Sequence, residues 1–484
     1  MIVVAGGGTA GCVVAARLAE AGRDVLLIEA GPDYGPMAKW PADLLDATSL
    51  PTSHDWGYFG HGAAGQPLGY DRARVLGGCS AHNGCTQTVG WAGDYDAWDS
   101  PGWDSASLRP LFAAAAQQMG LRSWKPEEIQ PFQQAFLDGC AATGVPVRND
   151  LDDLDGAVGA GCAPVNIHDG VRANTAFRYL EPVRAKLQIL PDAVVDRVVI
   201  DHGRARAVEV ITAGGRVTVA ADEIVLCAGA YGSPEILLRS GIGPADHLRS
   251  IGVPAAADLP GVGENLHDHP AAQLEFAATA DLAHDLAEFA RHRALPEEQA
   301  LAKLRSPHCT GPYDLHVYPW IEPDPTLDTG WRCVLPVSQL RPVSRGRVRL
   351  RSADPAVRAE VDPGFFSDPD GADLSSVAYG VTWVLEELLP SGFGKLLGRE
   401  LTDAASSHDL PDWIRRTHRH YWHPAGSCRM GPADDGAVVD HEARVHGVAG
   451  VRVADASVFP TIPRATPALP TVVVGERVAQ LMLR

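Results

Sequence analysis

Three groups of residues in this chain have the types and spacing to do chemistry. The first is Gly6-x-Gly8-x-x-Gly11, with Glu29 placed 18 positions further on. In such a turn the first glycine permits the bend and the second lets bare backbone approach a pyrophosphate. The third lets helix pack closely on strand, while free N–H groups at the helix start face the anion. Glu29 can accept from both hydroxyls of an adenosine ribose, and its charge disfavours a 2′-phosphate. The second group is Tyr421-Trp422-His423-Pro424. An imidazole titrates near neutral pH and suits the removal of a hydroxyl proton, although on residue type alone a structural role is the commoner one. The third is His82, close behind Gly77-Gly78, where a neutral ring nitrogen is a nucleophile.

The elements around the glycine turn are what raise it above a common turn. Ile2–Ala5 predicts a short strand buried on both faces, and residues 11–21 a helix with small residues on one side, ended by Gly22. Val25–Ile28 predicts a second buried strand, closed by Glu29. Strand, turn, helix, strand and acid in that order predict a dinucleotide site. FAD is expected over NAD, because the turn opens a long chain and no second fingerprint follows.

Further along, residues 32–110 read as extended, loop-borne structure and residues 108–145 as helical. Strands at 188–190, 197–200, 207–211, 217–219 and 224–227 suggest a small meander. Ser233-Pro234-Glu235 has the order of a helix start, with Gly241 as its end. Helices are expected over 279–304 and 371–390, and a last one over 470–482. No internal repeat is present.

The 484 residues are 45% hydrophobic and 21% charged, and mean hydropathy is close to zero. A formal charge of −19 without basic clusters excludes nucleic acid as a partner and reads as solubility. No apolar run approaches the roughly 20 residues of a spanning helix, and no leader is expected ahead of the first strand. Nine scattered cysteines form no CxxC pair, which points to a reducing cytoplasm, with peripheral attachment to a membrane as the variant. Cys79 and Cys85 read as packing residues. His418-Arg-His420-x-x-His423 and His267-Asp-His269 lack the spacing of a metal site and are expected to be structural; no metal is expected.

Five runs carry a resemblance. They are Arg74-Val-Leu-Gly-Gly-Cys-Ser-Ala-His-Asn-Gly84, Asp94-Tyr-Asp-Ala-Trp98, the stretch from Gly229 to Gly243, Trp422-His-Pro-Ala-Gly-Ser-Cys-Arg-Met-Gly431, and Val453-Ala-Asp-Ala-Ser-Val-Phe-Pro460. In this order they resemble the glucose-methanol-choline (GMC) oxidoreductase family over essentially the whole chain, most weakly at 270–340. The resemblance implies an α/β fold, with a Rossmann-like FAD-binding domain made of residues 1–90, 170–270 and 424–484. An α+β substrate-binding domain of antiparallel sheet and helices, residues 91–169 and 271–423, is inserted into it.

It also implies which residues meet the cofactor. They are Gly6, Gly8, Thr9, Ala10, Gly11, Glu29 and Ala30 at the nucleotide end, and Arg74, Leu76, Gly77, Gly78, Asn83 and Gly84 in the segment that wraps the flavin. The Val195 backbone is implied for the adenine. Ala228, Asp455, Ala456, Thr466, Pro467 and Thr471 complete the set, the last helix aiming its positive end at the flavin. His82 matches choline-oxidase-like members whose histidine is joined covalently to FAD; a hydrogen-bonded histidine beside non-covalent FAD is the alternative.

The implied reaction oxidises a small-molecule alcohol by hydride transfer to flavin N5, with His423 as base. Relatives usually place a second His or Asn six residues beyond the last motif's proline. Here that position is Thr466, which can donate one hydrogen bond but is no comparable base. Either Thr466 does a reduced version of that work or a residue elsewhere replaces it. The expected acceptor is a quinone or carrier, as in the mycofactocin-associated branch, with an oxygen-using small-alcohol oxidase as alternative. An FAD-containing lyase, or a flavin binder without turnover, is the reading from a different class.

Overall fold

The computed structural model describes residues 1–484. Ile2–Ala5 (β1) is an unbroken aliphatic run and is buried on both faces. It leads through the glycine turn into Thr9–Glu20 (α1) and back to Val25–Ile28 (β2), which pairs with β1 in parallel. Three distant segments extend this sheet: Gln188–Leu190 (β3), Glu223–Leu226 (β4), which is followed by helix Gly229–Arg239 (α2), and Val451–Val453 (β5). The strand order is β5-β4-β1-β2-β3, all parallel.

The closing helix, Ala468–Met482 (α3), packs across α1. Close approach requires Gly475, since a side chain there would place its Cβ 2.8 Å from that of Val13. One ion pair ties the two helices: Arg17 donates from Nε and Nη2 to Glu476 at 2.9 and 2.8 Å, and the Tyr179 hydroxyl donates to Glu476 at 2.9 Å. The first and last helices are thereby fixed to one another.

A second, largely antiparallel sheet runs in the order Leu397–Glu400, Pro270–Ala278, Trp331–Gln339, Leu315–Val317, Ala300–Leu304 and Gly159–Cys162. Helices Pro131–Ala142, Ala280–Ala290 and Ala372–Trp383 cover it, and together they enclose an apolar core separate from that of the parallel sheet. A smaller five-stranded sheet contains the hairpin Tyr58–His61 and Pro67–Tyr70.

Several elements differ from expectation for identifiable reasons. The helical stretch at 108–145 is two helices, Ser105–Met119 and Pro131–Ala142. Gly120 ends the first in a left-handed conformation, and Asp104 caps its start by accepting from the Ser107 N–H at 2.9 Å. The meander is confined to Val194–Asp201, Arg204–Thr212 and Gly215–Ala220; its expected outer strands belong to the parallel sheet as β3 and β4.

α2 opens at Gly229, four residues before Ser233, and so carries Pro234 inside it. The missing proline N–H would leave the Ala230 carbonyl unpaired, and the Ser427 hydroxyl donates to it at 2.5 Å. The expected helix over 279–304 stops at Ala290. Pro296 forbids its continuation, and Ala300–Leu304 is instead a fully buried strand paired on both sides.

Replacing Glu476 with Ala should destabilise the holoprotein by about 2 kcal/mol, because Arg17 and Tyr179 lose a partly buried partner. Arg109→Ala, which removes an exposed pair with Asp155, should cost under about 1 kcal/mol. Urea unfolding of the two variants checks both values.

Candidate active site

A single cavity of about 600 Å³ runs from the glycine turn to the second sheet, lined by residues from both ends and the middle of the chain. At one end are Gly6, Gly8, Thr9, Ala10, Glu29 and Ala30. Gly11 lies beneath them, where a Cβ would meet the Gly6 carbonyl oxygen at 1.9 Å. Gly8 caps α1 with no side chain on the helix's free N–H groups, so they are open to an anion. The buried Glu29 carboxylate accepts from the Gly7 and Gly31 N–H groups at 2.8 and 2.7 Å, and burial pushes its pKa up to about 7. Val195 and Ala228 line the same end.

The segment at 74–84 crosses over this turn. Gly77 donates its N–H to the Gly7 carbonyl at 2.7 Å, and a side chain on Gly78 would bring its Cβ 2.6 Å from the Gly8 Cα. Two glycine backbones therefore touch, which no other residue type allows. Arg74 donates to the Ala30 carbonyl at 3.1 Å, and Leu76 packs behind Gly7. Gly78, His82, Asn83 and Gly84 line the cavity, whereas Arg74, Leu76 and Gly77 support it from outside. Burial keeps the His82 ring neutral, and its Nε2 lies 2.6 Å from the Ser53 carbonyl oxygen.

On the opposite wall, Asp455, Ala456, Thr466, Pro467 and Thr471 line the cavity. Asp455 accepts from the Gly229 N–H, the Ser233 hydroxyl and the Ser457 N–H, which fixes the start of α2 against the end of β5. The N-terminus of α3 opens here with neither a side-chain cap nor an acid in its first turn, so its positive end is unopposed.

His423 closes the far end. Trp422 adopts a positive φ of 59°, and two groups hold that turn: Arg72 donates to the Trp422 carbonyl at 2.9 Å and Asp268 accepts from the His423 N–H at 2.9 Å. Burial raises the Asp268 carboxyl to about 7. The His423 ring stands edge-on to His269, with 2.9 Å between their Nδ1 atoms. Burial holds His423 well below the usual histidine range, reinforced by His269, Arg72, His316 and His420. The ring is therefore neutral, with a lone pair available.

Thr466 is directed elsewhere. Its backbone N–H donates to the Thr88 hydroxyl at 2.7 Å, its own hydroxyl lies 3.2 Å from the Thr86 carbonyl oxygen, and the Thr88 N–H donates to that hydroxyl. Its polar atoms are engaged by residues 86–88 although it lines the cavity, and the side chain that meets the His423 ring directly is His269.

Next to His423 the cavity is walled by Thr86, Glu297, Glu298, Tyr318, Trp320 and Trp422. The Glu298 carboxylate lies against the Gly84 backbone and accepts from the Thr86 hydroxyl at 3.2 Å. Sequence reasoning missed the acids at 297 and 298 because they fall in the segment read as a helix over 279–304. It noticed His269 only as part of a structural turn, and the one available signal was its neighbour Asp268.

A family model described as GMC oxidoreductase matches residues 1–271, and a second with the same description matches residues 342–475. The chain belongs to the GMC oxidoreductase family. This GMC oxidoreductase is 31% identical to choline oxidase of Arthrobacter globiformis over 99% of its own length and 93% of the relative's. It is 30% identical to human mitochondrial choline dehydrogenase, covering 99% and 89% respectively. Among solved structures, pyridoxine 4-oxidase from Mesorbium loti superposes with a TM-score of 0.86 at 28% identity, over 99% of this chain and 98% of that one.

The protein is accordingly an FAD-dependent oxidoreductase, and the expected fold of parallel Rossmann-like sheet plus antiparallel sheet stands. The donor set fits FAD: open N–H groups and bare glycine backbone suit a pyrophosphate, and the free positive end of α3 suits the negative charge a flavin gathers on reduction. No helix is long and apolar enough to cross a membrane.

Proposed function

We propose that this enzyme oxidises the carbinol carbon of a small alcohol bearing a positive charge, with His423 as the base and oxygen as the acceptor. The observation that carries the substrate class is the pair Glu297 and Glu298 on the cavity wall. Burial, and for Glu297 also the neighbouring acids Glu298 and Glu322, pushes their carboxyls up to about 8 and about 7. The only cation acting on both is Arg172, whose guanidinium donates entirely to the backbone carbonyls of Asn83, Leu44, Asp46 and Ser49. Two acids in a pocket without a cation of their own, faced by Tyr318, Trp320 and Trp422, suit an ammonium group. The relatives named for choline accord with that chemistry.

Within this reading FAD, when bound, supplies the acceptor for the hydride. The chain's own groups do the rest. His423 presents its lone pair to the hydroxyl and takes the proton, and Asp268 with Arg72 keeps the ring at that position. The indoles and the buried sheet exclude water. We assign flavin binding to residues 1–90, 170–270 and 424–484 and substrate binding to 91–169 and 271–423. Oxygen, rather than a quinone or carrier, is favoured by the oxidases among the relatives. His82, neutral and on the cavity wall, is assigned as the covalent tether of FAD.

Three outcomes follow. A quaternary amino alcohol should bleach the flavin anaerobically, with its uncharged carbon isostere at least about tenfold poorer in kcat/KM, and Glu298→Gln should erase most of that gap. Because the acids bind the cation only when ionised, its KM should fall as pH rises through 7 to 8. Equal use of the isostere by the wild type would refute the charged-substrate reading, and no bleaching by any alcohol would favour a lyase or an inert binder. On acid precipitation the flavin should stay with the pellet; flavin wholly in the supernatant would remove His82 as a tether.

A further inference from the structure

A second imidazole, that of His269, stands behind the His423 ring. His269 is fully buried and lies outside the cavity, whereas His423 lines it. The two share one short contact, Nδ1 to Nδ1 at 2.9 Å. Such a contact between neutral rings is attractive in only one sense: one Nδ1 carries hydrogen and the other a lone pair.

The chemistry decides which. A base facing the cavity needs its lone pair on Nε2, so the His423 hydrogen sits on Nδ1 and donates to His269. His269 then carries its hydrogen on Nε2. That atom is buried without a well-formed hydrogen bond, and the backbone carbonyls of Leu340 and Pro463 lie beside the ring and favour its protonated form.

We propose that His269 is a positioning residue, which fixes His423 in the Nδ1–H form and shares the positive charge when His423 takes the substrate proton. This rests on His423 being the base. No acid does this work. Asp268, the nearest carboxylate in sequence, spends one oxygen on the His423 backbone N–H, and its other oxygen lies 3.9 Å from His420 Nδ1.

The remaining titratable or charged groups around the pair are Tyr421, His316, His267, His420 and Arg72. Burial holds His267, His316 and His420 below the usual histidine range, and Arg72 is drawn to the Trp422 carbonyl. In the hydroxyl-to-imidazole transfer, the O–H bond breaks, the N–H bond forms on His423 Nε2, and the proton later leaves to solvent. His269 gains no proton; it accepts a stronger hydrogen bond.

The test uses the flavin-loaded enzyme with 15N-labelled histidine, the His423 signals being assigned through His423→Gln. Wild type should show hydrogen on His423 Nδ1 and a lone pair on Nε2, while His269→Leu should show a mixture of the two forms. Anaerobic flavin reduction by the substrate alcohol should fall about 100-fold in His269→Leu with KM and flavin content unchanged. His269→Gln, whose amide oxygen can accept the same hydrogen bond, should stay within about tenfold of wild type.

Hydrogen on Nε2 of His423 in wild type would overturn the proposal whatever the variants do. So would equal losses in the Leu and Gln variants, or an unchanged rate in the Leu variant. If instead His423 proved not to be the base, His423→Gln would reduce its flavin at the wild-type rate while the tautomer signals stayed as described, which separates the two failures.

Discussion

The contact between His423 and His269 depends on excluding water from the edge where the two rings meet, and the rest of the molecule can be read as the means of doing so. An imidazole in solution is hydrated and spends part of its time protonated; buried, it stays neutral and keeps a lone pair. Exclusion requires walls on several sides. The turn at Trp422 is held by Arg72 and Asp268, and the strands at 270–278 and 315–317 carry Ala271, His316 and their apolar neighbours behind the rings.

The other end of the cavity obeys a different constraint, close approach of backbone to backbone. Gly11 under Gly6 and Gly78 over Gly8 leave no room for side chains, so the anion-binding N–H groups are presented bare. These two environments are built by separate sheets with separate cores, and they meet because the chain begins and ends in one place. Arg17 and Glu476 join α1 to α3, β5 pairs with β4, and α3 then delivers its positive end to the same cavity that α1 opens.

The glycine turn, β1, β2, Glu29 and α3 are legible in the sequence because their determinants are local: an aliphatic run, glycine spacing, a proline at a helix start. His423 is legible only through family resemblance, since nothing in Tyr-Trp-His-Pro separates a base from a packed ring. What escapes is long-range. Ser233 looks like a helix cap until Asp455, over 200 residues away, claims its hydroxyl. Ala300–Leu304 looks like the end of a helix until strands on both sides claim its backbone, and Glu297 and Glu298 reach the cavity wall with it. Thr466 sits where a partner for His423 is expected, yet Thr86 and Thr88 take its polar atoms, and the ring that touches His423 comes from 154 residues earlier in the chain.

The central claim is that the lone pair of His423 removes the substrate proton at the flavin end of this cavity. Anaerobic stopped-flow reduction of flavin-loaded His423→Gln against wild type tests it most directly. The account predicts full flavin occupancy in the variant and a bleaching rate lower by about 10²–10⁴. Bleaching at the wild-type rate would contradict it.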